Sequence, residues 1–190
     1  MYICNEFPLF NYKKISCPTG PNFEKHILLH EKFFKSLSKK ILQKIDIKPY
    51  AINYGWNIVR RLKKINPNFR IVEKNNIKDL CTYYDLIICA LPSTSFLETI
   101  YHNVPTITLF SKKNWKFNSF VNKQFNDLSK LKIIFKNSDK ASKHINTQMN
   151  EFIDNWHTHE YQKKISYFKK MFICENQDYY ENINKILKNL

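Results

Sequence analysis

Two glycines, Gly20 and Gly55, are all that the 190 residues contain, and that scarcity excludes whole classes of site. Neither a G-x-G-x-x-G dinucleotide fingerprint nor a P-loop can be written with them. Arginine is nearly as scarce, with Arg60, Arg61 and Arg70 the only three among 31 basic residues. Readers of bases and phosphates favour the arginine fork, so a formal charge of +15 built from lysine is a weak pointer to nucleic acid. The accompanying wealth of Asn, Ile, Tyr and Phe, all with A/T-rich codons, offers a genomic source for the lysine excess. No run approaches the ~18 to 20 uncharged apolar residues of a membrane span, and MYICNEFPLF lacks the charged start and long apolar core of a secretory signal. Cys4, Cys17, Cys81, Cys89 and Cys174 are odd in number and never spaced as C-x-x-C, so they read as free thiols in a reducing compartment. The expected location is the cytoplasm, with peripheral contact at the inner face of an anionic membrane as a use for the lysines.

What is present is alternation. The first 25 residues, with Pro8, Pro18, Gly20 and Pro21, read as irregular, and residues 24–45 carry apolar positions at helical spacing. IKPYAINY (47–54), FRIVE (69–73), LIICAL (86–91), TITLF (106–110) and KIIFK (132–136) read as strands. Short helical stretches from Trp56, Ile77, Ser95 and Val121 fall between them. Strand and helix in turn with short joints predict an α/β fold, a Rossmann-like parallel sheet with helical crossovers. LIICAL, apolar on both faces, is the expected central strand. Three apolar stripes, Ala141 to Trp156, Tyr161 to Phe172 and Tyr180 to Leu190, predict C-terminal helices over 138–190 packing on the domain formed by 1–137.

In open parallel sheets ligands sit outside the carboxyl ends of the strands, so the end of LIICAL is where chemistry is expected. There the chain reads Pro92-Ser93-Thr94-Ser95 and opens a helix. Three hydroxyls and the free amides of a helix start suit an anion such as a diphosphate. Ser95-Phe96-Leu97-Glu98 is also a capping box, which would account for Ser95 and Glu98 by helix stability alone, at ~1 kcal/mol. It leaves the clustering of Ser93, Thr94 and Ser95 unexplained.

At these residues the chain resembles the donor-binding C-terminal half of GT-B glycosyltransferases: a strand, a hydroxyl turn, a helix carrying an acid, then Asn-x-Pro and another strand. More closely it is similar to the C-terminal part of a family of transferases of bacterial surface-carbohydrate biosynthesis. That likeness is carried by FFKSL (33–37), NYGW (53–56), STSFLET (93–99), NVPTI (103–107), NW (114–115), SDKASKHIN (138–146) and DNWHTHEYQKKISYFKKMF (154–172). The resemblance implies a nucleotide-sugar donor, as substrate and with no further cofactor, for surface polysaccharide or lipopolysaccharide synthesis. It implies a diphosphate held by Ser93, Thr94 and Ser95 and a ribose held by Glu98, and Lys48 is expected to join the diphosphate site. Lys48 stands where such proteins tend to show an arginine, and with Tyr54 it is expected at the cleft mouth. The catalytic base usually comes from an N-terminal domain, so none is assigned, and an N-terminal-domain polypeptide is an expected partner.

Other residues carry less. Trp115, after TITLF, suits either stacking on a base or sugar or a place in the core. Gly55 is expected to take a positive φ in the NYGW turn. His26 and His30 have the i, i+4 spacing of zinc ligands but not the H-E-x-x-H order, and read as a wet helix face. His157 and His159 read as an inter-helix loop, and no metal is expected. The competing reading is a non-catalytic basic module for RNA or an anionic membrane surface, or an inactive fragment. KSLSKK, RRLKK and YQKKISYFKK supply its charge, without the interleaved glycines and aromatics of an RNA-binding sheet.

Overall fold

A computed structural model describes residues 1–9, 20–73, 76–111, 115 and 117–173. Cys17, Cys174 and the stripe from Tyr180 to Leu190 lie outside the described residues. Six short strands, β1 (Tyr2–Ile3), β2 (Asp46–Lys48), β3 (Arg70–Ile71), β4 (Ile87–Cys89), β5 (Thr106–Leu109) and β6 (Ile134–Phe135), form one sheet among them. Every pairing is parallel and the order is β3-β2-β1-β4-β5-β6. This is the α/β, Rossmann-like architecture expected from the alternation. Parallel strands need long crossovers, and the helices supply them: α1 (Pro21–Lys35), α2 (Lys39–Leu42), α3 (Ile58–Ile65), α4 (Ile77–Leu80), α5 (Thr94–Tyr101) and α6 (Ser119–Lys130), followed by α7 (Ser138–Trp156) and α8 (His159–Phe172). One helical layer joins α1, α3 and α7, and the other joins α4 with α5 and α8 with both α5 and α6.

Two local expectations are corrected. The opening residues are not irregular, because Met1-Tyr2-Ile3-Cys4 is buried and β1 pairs with Ile47 on one side and Ile88 on the other, in the middle of the sheet. A two-residue strand is too short to show periodicity, and Pro8 then masks it. The helix predicted over 24–45 starts earlier, at Pro21, and breaks at 36–38 into α1 and α2. The break is bridged by Asn146 of α7, whose side-chain amide donates to the Ser36 carbonyl at 2.9 Å and whose Oδ1 accepts from the Ser38 amide at 2.9 Å. The FFKSL and SDKASKHIN segments, distant in sequence, thus meet.

The layers are tied at few points. Arg61 of α3 donates to both oxygens of Glu24 at 2.8 Å each and to Glu31 at 2.5 Å, clamping α3 on α1 by the fork geometry that lysine lacks. On the other face, Asn103 ends the α5 turn at φ 57, a left-handed conformation that asparagine tolerates. The buried Trp156 indole donates to its carbonyl at 3.1 Å and its Oδ1 at 3.2 Å, and Gln162 reaches the same Oδ1 at 3.1 Å. β4 and β5 are buried throughout, as strands covered on both faces must be.

Candidate functional site at the carboxyl edge of the sheet

The strand order reverses between β1 and β4, and in open parallel sheets the crevice at that reversal receives ligands. β1 leads there into Asn5 and Glu6, and β4 into Pro92 and Ser93. The two exits touch: the Asn5 side-chain amide donates to the Ser93 hydroxyl at a long 3.4 Å. Asn5 and Glu6 were not legible as site residues, since the strand that delivers them was not.

The turn after β4 is accessible. Thr94 is exposed, and Ser93 and Ser95 are half-buried. The capping box is absent. α5 begins at Thr94 with Ser93 as its N-cap, the Leu97 amide bonds the Ser93 carbonyl at 3.1 Å, and Ser95 lies inside the helix, so Glu98 cannot close a box with it. Ser93 does not cap with its side chain either. Glu98 is exposed one turn beyond Thr94, on the same helix face. Burial raises the Cys81 thiol, beside α4, to about 11, and the Glu98 charge adds to that rise.

A pattern in the helix starts sets this region apart. α4, α6 and α7, which follow β3, β5 and β6, are each capped by an asparagine: Asn76, Asn118 and Asn137 accept the third helical amide at 2.8, 2.9 and 3.0 Å. α1, α3 and α5, which follow β1, β2 and β4, have no side-chain cap. Orphan amides at a helix start need a partner and favour an anion. α8 is uncapped too, but its Thr158 hydroxyl bonds the Asn155 carbonyl at 2.7 Å in a link between two helices away from the strand ends.

The remaining expected residues surround the β1 exit. Lys48 is half-buried at the end of β2, its carbonyl accepting from the Cys4 amide at 2.9 Å. The loop after β2 is held from below, with Glu6 accepting the Tyr54 amide at 2.9 Å and the Trp56 indole donating to the Phe7 carbonyl at 2.7 Å. Gly55 takes φ 92 there, as expected, and its amide bonds Asn53 at 2.8 Å. Tyr54 is half-buried and lies beside Tyr50, ring centres 6.2 Å apart. Glu6 is 7% exposed, and burial raises its carboxyl above the usual range against the pull of the Tyr54 amide. Trp115 crosses from the loop after β5 to pack on Phe7, at 5.6 Å, and His26, at 6.2 Å, with its indole N–H buried and unpaired.

His26 and His30 do not form a wet face. They are 2% and 4% exposed, turned from α1 onto the sheet with ring centres 4.5 Å apart. Among the described residues no group of three or more His, Cys, Asp or Glu side chains is arranged to hold a metal. His157 and His159 are exposed at the joint of α7 and α8.

With this geometry in place, comparison with known proteins adds one decisive match. The profile described as LIC12162 family transferase covers residues 1–187. The chain belongs to that family. No curated protein and no solved structure matches it. Membership makes the chain a member of a transferase family. Among the described residues no helix is long and apolar enough to cross a membrane.

Proposed function

We propose that the chain is the donor-binding part of a GT-B-type glycosyltransferase, moving a sugar from a nucleotide-activated donor in the synthesis of a surface polysaccharide or lipopolysaccharide. The observation that carries this reading is the start of α5 at the strand-order reversal, which has no side-chain cap and an exposed Thr94, against the asparagine caps of α4, α6 and α7. The family match supports the transferase part of it.

In this reading the α5 amides with Ser93, Thr94 and Ser95 hold the diphosphate, Lys48 adds countercharge, Glu98 accepts from the ribose hydroxyls, and Tyr54 and Trp115 wall the cleft. An acceptor hydroxyl oxygen attacks the anomeric carbon of the sugar. The carbon–oxygen bond to the diphosphate breaks, and its electron pair stays on the departing nucleoside diphosphate. Donors fixed at a helix start stabilise that charge without reorganising. The acceptor proton passes to a base on the N-terminal domain that faces a donor half in the GT-B arrangement.

A thermal-shift series with nucleoside diphosphates and their sugars tests it, because a ligand at ~100 times its dissociation constant adds ~2.7 kcal/mol of stability. Stabilisation by one such nucleotide, reduced in Glu98→Gln, is the expected result. No stabilisation by any of them overturns the donor reading.

Two grooves on opposite helical layers are lined by basic residues. One is lined by Lys35, Lys39, Arg60 and Lys64, the other by Lys123, Lys163, Lys164 and Lys170. The second groove borders the half-exposed Tyr167 and Met171 of α8, a mixture of cations and apolar groups that suits an anionic membrane surface. Sedimentation with phosphatidylglycerol vesicles, weakening as salt rises, is the expected sign, and equal binding to neutral vesicles would remove that assignment.

A further inference from the structure

Beneath the β1 and β4 exits, between α1 and the sheet, Tyr2, Cys4, Asn5, His26, His30 and Ala90 line a small void. The space open to a water-sized sphere is about 10 Å³, which is the threshold for one molecule. Five buried polar atoms on this lining have no protein partner: Oδ1 of Asn5 and both ring nitrogens of His26 and of His30. Burial lowers the His30 pKa to about 4, and it lowers that of His26 as well, with the His30 charge adding to the effect. The carbonyls of Ala90 and Leu109 lie near His30 and partly oppose that shift, yet neither ring nitrogen reaches a partner with hydrogen-bond geometry. Both imidazoles are thus neutral, each with one N–H donor and one bare acceptor nitrogen. Buried groups of this kind are almost always satisfied, by ordered water where the protein does not suffice.

We infer that Asn5 is the positioning residue of the turn after β4, held by an internal water that it shares with His26 and His30; this rests on reading that turn as a diphosphate cradle. The water accepts an N–H from one imidazole and donates to the bare nitrogen of the other and to Asn5 Oδ1. That fixes the Asn5 amide with its oxygen down and its nitrogen up, toward the Ser93 hydroxyl at 3.4 Å. The consequence for chemistry lies in proton direction. A Ser93 oxygen that accepts from Asn5 keeps its own proton free to turn outward, where it donates to an anion. An aspartate at position 5 would accept from Ser93 instead, turning that proton inward and adding a negative charge beside the cradle.

The test combines a high-resolution crystal structure of the whole chain with calorimetric titration of inorganic pyrophosphate. One ordered water within hydrogen-bond distance of Asn5 Oδ1 and both rings is the expected density. A dry void, or an Asn5 amide turned the other way, overturns the shared-water arrangement. Asn5→Leu should weaken pyrophosphate binding about tenfold, the scale of one lost charge-assisted bond, and Asn5→Asp should weaken it further. His30→Phe fills the void and should weaken binding in the same direction, while His30→Gln, which keeps a polar partner for the water, should restore it. Should His30→Phe fail to fold, Asn5→Leu alone decides. Equal affinity of Asn5→Leu and the unaltered chain overturns the positioning role and leaves the donor reading intact. Absence of pyrophosphate binding by the unaltered chain overturns the donor reading, a result separable from the density in the void.

Discussion

The two ends of α5, a helix of eight residues, are built on opposite plans. At its carboxyl end Asn103 sits in a left-handed conformation and gathers three hydrogen bonds from Trp156 and Gln162, with Lys169 donating to the Tyr101 carbonyl at 3.0 Å. At its amino end there is no side-chain cap, one long bond from Asn5, and an exposed Thr94 between half-buried Ser93 and Ser95. One end is committed to packing two helical layers, and the other is where the proposed donor would sit. The small polar groups around this short helix thus divide between scaffold and proposed site.

The largest effect that would sharpen this contrast is at the scaffold end. Trp156→Ala removes a fully buried ring and should cost about 3–5 kcal/mol in urea denaturation, with any binding at the other end of the helix lost only through unfolding. Acid is next. For His30 the folded pKa is about 4 against an ordinary value of 6.5, so the unfolded chain takes up the proton first. Stability from the neutral ring is complete above about pH 6.5 and is lost as pH falls toward 4, by on the order of 3 kcal/mol. His30→Gln should flatten that dependence. A third effect compares helix starts: Asn118→Ala, at a capped one, should cost ~1 kcal/mol. Ser93→Ala should cost only a few tenths, because its hydroxyl caps nothing, while weakening pyrophosphate binding. If Ser93→Ala proved as destabilising as Asn118→Ala, the division between the two ends of α5 would be broken.

The long apolar runs were legible. LIICAL and TITLF gave β4 and β5, the stripes after residue 138 gave α7 and α8, and the Pro-Ser-Thr-Ser turn was located at the strand end where ligands gather. β1 was hidden because two residues carry no period, and with it went Asn5, Glu6 and the position of the strand reversal. His26 and His30 were misplaced for a different reason. Polarity assigns histidine to water, whereas α1 presents Phe23, His26, Ile27, His30, Phe33 and Phe34 as one buried face. The capping box failed because its residue spacing fitted a helix beginning two residues later than α5 does. The resemblance segments NVPTI and DNWHTHEYQ turn out to meet through Asn103, Trp156 and Gln162, a packing role that linear spacing does not reveal.

The placement of β1 also governs how the molecule comes into being. Its neighbours are Ile47 and Ile88, so neither edge of the strand is satisfied while the ribosome is still making the intervening chain. At ~5–20 residues per second the second partner arrives only several seconds after the first strand emerges. Over that interval a run of side chains that the finished fold buries, Met1 to Cys4, lacks its second neighbouring strand.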